Sequence, residues 1–199
     1  MDGCSQCRLL GAAQGRDVLV AMKSAGFTLI ELMITIVILA ILLYVALPNF
    51  AVWMQNTQIR TAGEAILNGM QLARTEAIRR NVNVELRMDV SSGWTARVAG
   101  TGEVIQSRLA GEGSAAAMVT TTPAGAQTVT FNSFGSVGTN ADGTAAITEI
   151  KIDSPAISAA DSRELCILVR AGGNVRMCDP QVAVTDTRTC GAAVPAGCL

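Results

Sequence analysis

The chain has 199 residues, of which half are apolar and only 16% are charged, and its formal net charge is −1. It contains no histidine, so the commonest general base and the commonest metal ligand are missing, which excludes most hydrolase and zinc-site interpretations. A net charge so close to zero argues against a protein that binds nucleic acid by bulk electrostatics. The length suits one domain with an appendage.

The segment 27–47 is the most apolar part of the chain, and its polar interruptions are Thr28, Glu31 and Thr35. At about 1.5 Å per residue, a helix of this length measures about 31 Å and can cross the hydrocarbon core of a bilayer. Lys23 precedes the segment and no basic residue follows it before Arg60, which places the short N-terminal side in the cytoplasm. Because no small-residue cleavage site follows Leu47, hydrophobicity alone predicts an uncleaved single-span anchor.

The beginning of this segment carries a specific motif, GFTLIELM, which runs from Gly26 to Met33. An ionisable residue such as Glu31 inside an apolar span costs roughly 2 to 4 kcal/mol to insert and is usually paired or functional. A glycine, a hydrophobic residue and a glutamate at this spacing, after a lysine and before a long apolar helix, resemble the signal of type IV prepilins. The resemblance implies that prepilin peptidase cuts between Gly26 and Phe27, and that Phe27 becomes an N-methylated terminus.

The same resemblance implies roles for two further residues. Glu31 matches the acidic residue five positions into the mature chain, where the new amino group at Phe27 of a neighbouring subunit compensates its charge and sets the stagger of subunits in a filament. Pro48 matches a proline that bends the helix between its membrane half and the half that faces the domain. For Pro48 taken alone, a simple kink or helix end explains the residue equally well.

The first residues of the chain fit the prepilin signal less well. Cys4 and Cys7 form a C-x-x-C motif, but without histidine or a second pair they do not make a zinc site. A start of translation at Met22 would leave the compact basic leader Met-Lys-Ser-Ala-Gly. We therefore expect either that Met22 is the true start or that the whole of 1–26 is discarded as a leader, so that both cysteines have no function in the mature protein.

Beyond Pro48 the helical pattern continues to about Arg80, and Asn81 is a stop signal. Apolar and small residues recur at spacings of three or four and predict a buried stripe, formed by Ile59, Gly63, Ile66, Met70, Ala73 and Ala77. From residue 82 the period changes to two, which predicts a half-buried strand over 82–90 and a hairpin with 94–98. Further strands are predicted at 103–109, 127–131, 145–152, 163–170 and 174–178, with loops notably at 111–122 and 135–143.

These elements predict an α+β fold, with a long N-terminal helix packed on an antiparallel β-sheet as in type IV pilins. Its domains would be a cleaved leader (1–26), a transmembrane and assembly half of the helix (27–48) and a periplasmic globular domain (49–199). Through Phe131–Gly135 and the hairpin Cys166–Cys178, the C-terminal half resembles the minor pilins of the FimU and FimT type and the related GspH pseudopilins.

Four cysteines remain in the globular domain: Cys166, Cys178, Cys190 and Cys198. In an oxidising periplasm an even number predicts two disulfides, and three connectivities are possible. The preferred pairing joins Cys166 to Cys178 across the last hairpin and Cys190 to Cys198 within the C-terminal tail. Free buried thiols are the alternative, and metal ligation is disfavoured because the chain lacks histidine.

The leading functional hypothesis is a minor pilin that takes part in priming type IV pilus assembly and is incorporated at or near the pilus tip. The alternative is a minor pseudopilin of a type II secretion system, and the second alternative is a DNA-binding minor pilin for DNA uptake. Relatives that take up DNA use a Gly-Arg-x-Arg turn, but Gly173-Asn174-Val175-Arg176 lacks the first arginine. Residues 161–199 also have no net charge and lack the clustered cations and stacking aromatics that phosphate binding requires.

An enzyme is not expected, because no histidine activates a hydroxyl, Lys151 is interpreted as a solvent-facing strand residue, and no nucleotide-binding loop is present. No cofactor or metal is expected either. The expected partners are prepilin peptidase, other minor pilins and the major pilin (or pseudopilins), the inner-membrane assembly platform and the inner membrane, but not DNA. The expected location is a single pass in the inner membrane, and then a pilus on the cell surface. The loop 111–122 would be an adhesive surface or a tolerated insertion.

Overall fold

The computed structural model describes residues 26–89, 91–191 and 194–198. The chain divides into two compact units, one up to Leu42 and one from Leu43 onwards, and the helix α1 (Leu29–Arg80) has residues in both. The predictions about the leader, including Cys4, Cys7 and the start at Met22, lie outside the described residues.

The single long helix predicted from the sequence is confirmed, and it continues without interruption through Pro48. Asn81 ends it in the left-handed conformation, with a φ of 54°. The N–H of Val82 donates to the carbonyl of Ala77 at 3.2 Å, and the N–H of Asn81 donates to that of Ile78 at 3.3 Å, which is the Schellman arrangement of a helix end. Asn81 is therefore the stop that the sequence indicated, whereas the bend assigned to Pro48 stays a prediction.

The strands form two antiparallel sheets where the sequence pattern predicted one. In the first sheet the spatial order is β3 (Val104–Arg108), β2 (Trp94–Val98), β1 (Val84–Met88), β5 (Thr128–Phe131) and β6 (Val137–Gly138). In the second it is β4 (Met118–Thr122), β7 (Glu149–Asp153), β8 (Leu165–Val169) and β9 (Val175–Cys178).

Two strands occupy segments that were predicted to be loops. β4 lies at the end of the segment 111–122, and the short β6 lies within 135–143. Met118 of β4 pairs with Asp153 of β7, which is 35 residues further along the chain. Local periodicity does not indicate a strand partner that is so distant in sequence. The residues before β4 are rich in glycine and alanine, which made the whole segment resemble a loop.

The rest of the segment 111–122 is attached to the domain by hydrogen bonds, and its interpretation as an adhesive surface or a tolerated insertion stays a prediction. Arg108 donates hydrogen bonds to the carbonyls of Ser92 and Glu112. Ser114 is fully buried, and its hydroxyl lies 2.8 Å from that of Ser92. The N–H of Ala116 then donates to the side-chain oxygen of Gln58 on α1 at 2.8 Å, so the loop is tied to the long helix.

The predicted buried stripe of α1 is confirmed, since each of its six residues is buried. It packs against inward-facing residues of both sheets, among them Leu86, Phe131, Ile150 and Ile167. A Cβ at Gly69 would come within 2.7 Å of the Trp94 ring, so a glycine allows β2 to approach the helix closely. Among the described residues, the whole buried core lies within the unit that begins at Leu43.

The half-buried pattern predicted over 82–90, with Val82 inside and Glu85 outside, is wrong at both of these positions, since Val82 is exposed and Glu85 is buried. Within β1 itself, Glu85 is buried although it was expected to face solvent, and Arg87 is the one exposed residue of the strand. The reason is an ion pair between Glu85 and Arg97, which stands directly opposite it on β2. An opposite charge and a hydrogen bond compensate the carboxylate for its loss of water.

The preferred disulfide pairing is also wrong: the bonds join Cys166 to Cys198 and Cys178 to Cys190. Cys166 and Cys178 do lie opposite each other on β8 and β9, so their side chains share one face of the sheet. The tail returns over this face and supplies a different partner to each cysteine. Backbone pairing of Asp179 with residues 188–189 brings Cys190 beside Cys178, and the short 3₁₀ helix Ala196–Cys198 brings Cys198 to Cys166.

We expect Gly173→Ala to lower the free energy of unfolding by about 2 to 4 kcal/mol, combining left-handed strain with overpacking. Gly173 has a φ of 76°, and a Cβ there would overlap the carbonyl of Gly135, which also accepts a hydrogen bond from Arg74 on α1 at 2.9 Å. Urea unfolding of the globular domain measures the effect. Gly172→Ala is the matched control, because the space around Gly172 is open; equal losses in both variants would contradict the prediction.

A pH-dependent contribution is expected at the C-terminal end of α1. Hydrogen bonds from Arg79 and then Arg80 lower the pKa of Glu76 from 4.5 to about 2. A carboxylate with a depressed pKa stabilises the fold above its unfolded pKa, and the contribution is lost as the pH falls through the folded value. Thermal unfolding at neutral pH should therefore show a lower Tm for Glu76→Gln than for the wild type. Near pH 2 the two proteins should have the same Tm. A difference independent of pH would contradict it.

Candidate functional site

The first candidate site is the exposed apolar part of α1. Within the described part of the first unit, 26–42, every residue is exposed, including large side chains such as Leu29, Ile34 and Leu39. By its length and composition, α1 is able to cross a membrane. Its apolar face therefore has no partner among the residues that the structure describes, as expected for a segment made to pack against lipid or other subunits.

The helix begins at a well-formed cap. The side-chain oxygen of Thr28 accepts a hydrogen bond from the backbone N–H of Glu31 at 3.2 Å, and the carbonyl of Thr28 accepts the first helical bond from Leu32 at 3.1 Å. This is half of the capping box, in which a threonine precedes a glutamate by three positions. The cap fixes the first turn directly after Phe27, so that Glu31 is held one turn away from the predicted mature terminus.

The charge of Glu31 is not compensated by a side chain of the described residues. Within 26–89, 91–191 and 194–198, the ion pairs involve other residues, all of them beyond residue 59. The positive end of the helix dipole favours a carboxylate in the first turn, but it does not replace a cation in hydrocarbon. Glu31 is thus an exposed acidic residue in the first turn of α1, without a cationic side-chain partner among the described residues.

Apart from Pro48, which lies within α1 in the second unit, the predicted site residues fall into two groups. Gly26, Phe27 and Glu31 lie at the start of α1, in the first unit. The four cysteines form a buried cluster with Leu168 in the second unit, and their role there is structural. Lys151, expected to face solvent, is instead partly buried in an ion pair with Glu164 at 3.0 Å. The described residues contain no group of three or more acidic, cysteine or histidine side chains arranged to hold a metal ion.

A second candidate site, the arginine cleft, was missed by the sequence analysis. It is a cleft of about 760 Å³ in the second unit, between α1, the chain entering β8, the end of β9 and the tail. It is lined by the cations Arg60, Arg163 and Arg188, by the acid Asp179, by Trp53, Leu165 and Met177, and by Asn56, Thr57, Cys178 and Thr187. Its residues come from four segments, so no local run of sequence reveals it.

Hydrogen bonds hold the walls of the arginine cleft together. The side chain of Asn56 accepts from the N–H of Arg163 at 2.7 Å and donates to the carbonyl of Asp161 at 2.9 Å, which fixes the β8 wall to α1. Arg188 pairs with Asp186 at 2.9 Å, and this arginine holds the pKa of the Asp186 carboxyl at about 2. Arg163 forms no ion pair with any described residue.

Comparison with known proteins gives two matches to family models. Residues 62–173, more than half of the chain, match the family model described as type II transport protein GspH. Residues 21–47 match the prokaryotic N-terminal methylation motif, which confirms the motif recognised at Gly26–Met33. None of the curated proteins matches the chain.

Among solved structures, the chain is similar to the type IV minor pilin FimU of Pseudomonas aeruginosa strain PAO1, at 16% identity. The similarity covers 65% of this chain and 97% of that chain, with a TM-score of 0.49.

Proposed function

The chain belongs to the family of the type II transport protein GspH, and from this premise we propose that it is a minor pilin that takes part in priming type IV pilus assembly. It is processed by prepilin peptidase between Gly26 and Phe27, methylated at Phe27 and incorporated at or near the pilus tip. Before assembly it is a single-pass protein of the inner membrane, with its globular domain in the periplasm. Its partners are other minor pilins, the major pilin and the inner-membrane assembly platform, and its role is structural, not catalytic.

One observation carries this proposal: the capped first turn that holds Glu31 at the start of an exposed apolar helix. A plain membrane anchor has no use for a carboxylate in this place, since its insertion costs a few kcal/mol. In a filament subunit the carboxylate is useful, because the free amino group of Phe27 on a neighbouring subunit supplies the cation that pairs with it. The match to the methylation motif supports the same processing event.

Mass spectrometry of the N-terminal peptide, from membranes with and without prepilin peptidase, tests the proposal. A methylated terminus at Phe27 that requires the peptidase is expected. An N-terminus upstream of Gly26 in cells that contain the peptidase would indicate a plain anchor and would overturn the filament role of Glu31.

A minor pseudopilin of a type II secretion system is the second candidate, and the description of the matching family model favours it. Deletion of the gene distinguishes the two machines. Loss of surface pili with normal secretion of exoproteins supports the pilus, whereas the opposite result supports the secretion system.

DNA uptake through the last hairpin is disfavoured by the contacts of its turn. Arg176, the arginine that remains of the DNA-contacting motif, donates to the carbonyls of Thr187 and Thr189. Its Nη2 therefore holds the tail against β9.

A further inference from the structure

We propose that the two disulfides make the C-terminal tail a redox-sensitive strap, and that reduction of Cys178–Cys190 alone releases the whole tail from the second sheet. The tail comprises residues 180–198, of which the structure describes 180–191 and 194–198. Release follows because the freed Cys178 thiolate displaces Cys198 from Cys166. The inference goes beyond the proposed filament role and does not depend on it, since it concerns the second unit alone.

The disulfides are the main attachment of the tail to the sheet. Apart from Cys190 and Cys198, its described residues add only the partly buried Val194 to the cysteine cluster, and none of them belongs to the main core. The other attachments are a few hydrogen bonds, such as that from the N–H of Gly197 to the carboxylate of Glu149 at 2.9 Å. Hydrogen bonds that replace bonds to water add little net stability, whereas ordering the tail costs conformational entropy. The tail therefore stays on the sheet because it is covalently bound.

The Cys178–Cys190 bond is the more accessible of the two. Cys190, at 7% exposed, is the least buried of the four cysteines, and Cys178 lines the arginine cleft. Cys166 and Cys198 are 0% and 1% exposed. A dithiol reductant attacks one sulfur as a thiolate, so its rate depends on access. It reaches Cys178–Cys190 first and passes two electrons to this bond, which gives two cysteine thiols and the disulfide of the reductant.

The reduced Cys178 has a second disulfide within reach. Cys166 stands directly opposite it in the pairing of β8 with β9, and both residues belong to the same buried cluster. Opposed residues of antiparallel strands have Cα atoms about 4.5 to 5.5 Å apart, within the range of about 4.4 to 6.8 Å that a disulfide spans. The Cys178 thiolate attacks the Sγ of Cys166, a Cys166–Cys178 bond forms, and Cys198 leaves as a thiolate that takes up a proton. This exchange needs no further reductant.

The exchange leaves the tail without a covalent link to the sheet. The remaining disulfide joins two strands that are already paired, while the freed tail regains conformational entropy, which favours the exchanged form. Release uncovers Leu168, which is only 3% exposed beneath the attached tail. Because the main core contains no described residue of the tail, the rest of the domain stays folded.

A variant without Cys190 reproduces the reduced state of the first bond with no reductant present. In Cys190→Ser, the full chain purified in detergent should contain a Cys166–Cys178 bond and a free thiol at Cys198. Labelling with N-ethylmaleimide followed by peptide mapping identifies both. Cys178→Ser is the matched control: it breaks the same disulfide but leaves no thiol opposite Cys166, so the Cys166–Cys198 bond should persist.

Hydrogen exchange measures whether the tail is released. In Cys190→Ser the amide of Gly197 should lose its protection, while the amides of the paired strands β1 and β5 keep theirs. In Cys178→Ser the amides of Gly197 and of both strands should stay protected. Retention of Cys166–Cys198 in Cys190→Ser, continued protection of Gly197 there, or loss of protection throughout β1 and β5 would overturn the inference.

Titration of the oxidised wild-type chain with dithiothreitol is a second measurement, which does not require any variant to fold. Once one disulfide per chain has been reduced, N-ethylmaleimide should label Cys190 and Cys198. Labelling of Cys178 and Cys190 instead would show reduction without exchange, and it would contradict the release mechanism. Cleavage at Gly26 has no part in these measurements, so their failure and the failure of the processing test are distinguishable.

Discussion

Glu31→Val is expected to leave cleavage at Gly26 intact and to reduce incorporation into the filament by about 100-fold. The substitution removes a carboxylate whose presence in hydrocarbon costs about 3 kcal/mol, so the subunit becomes more stable in the membrane and loses its attraction to the Phe27 amino group of its neighbour. At about 1.4 kcal/mol per factor of ten, this corresponds to two orders of magnitude in the equilibrium between membrane and filament. Immunoblots of sheared fibres and of the membrane fraction measure both populations.

Thr35→Val is the matched control for this prediction. Thr35 is a polar residue of the same exposed segment, but its hydroxyl is already bonded to the carbonyl of Leu32 at 2.8 Å. Its replacement should leave both fractions unchanged. Normal incorporation of the Glu31→Val protein would show that the acidic residue has no part in assembly, and it would remove the main support for a filament role.

Removing the Cys166–Cys198 disulfide by alanine at both positions should lower the free energy of unfolding by about 4 kcal/mol. The bond spans 32 residues, and the cost of closing a loop in the unfolded chain rises with its length. The Cys178–Cys190 bond spans only 12, so the corresponding double variant should lose about 3 kcal/mol. Chemical denaturation of the globular domain, fitted for each double variant, measures the difference.

Peptide mapping of the unreduced domain checks the pairing on which that prediction depends. Digestion should release one fragment pair containing Cys166 and Cys198, and another containing Cys178 and Cys190. A fragment in which Cys166 is bonded to Cys178 would instead restore the pairing across the last hairpin. The order of the two stability losses would then have no basis.

The long helix, its end and the N-terminal motif could be predicted from local sequence patterns. The period of 3.6 along α1 identified the buried stripe from Ile59 to Ala77, because one face of a helix must meet the core whatever covers it. Asn81 indicated the helix end, because asparagine adopts the left-handed conformation more readily than most other residues with a side chain. The motif at Gly26–Met33 is likewise contiguous, so it needed no structure to be recognised and matches the methylation motif.

What the sequence by itself determined about this protein was thus the long helix, its apolar and amphipathic halves and the prepilin-type motif. Only the tertiary structure decided the division into two sheets, the partners of the four cysteines and the arginine cleft. In each of these the residues brought together are far apart in sequence: β4 pairs with β7, Cys166 is bonded to Cys198, and Arg60 lines the same cleft as Arg163 and Arg188. Such contacts depend on the tertiary path of the chain, which brings distant segments onto one face of a sheet. The local periodicity of the sequence does not determine that path.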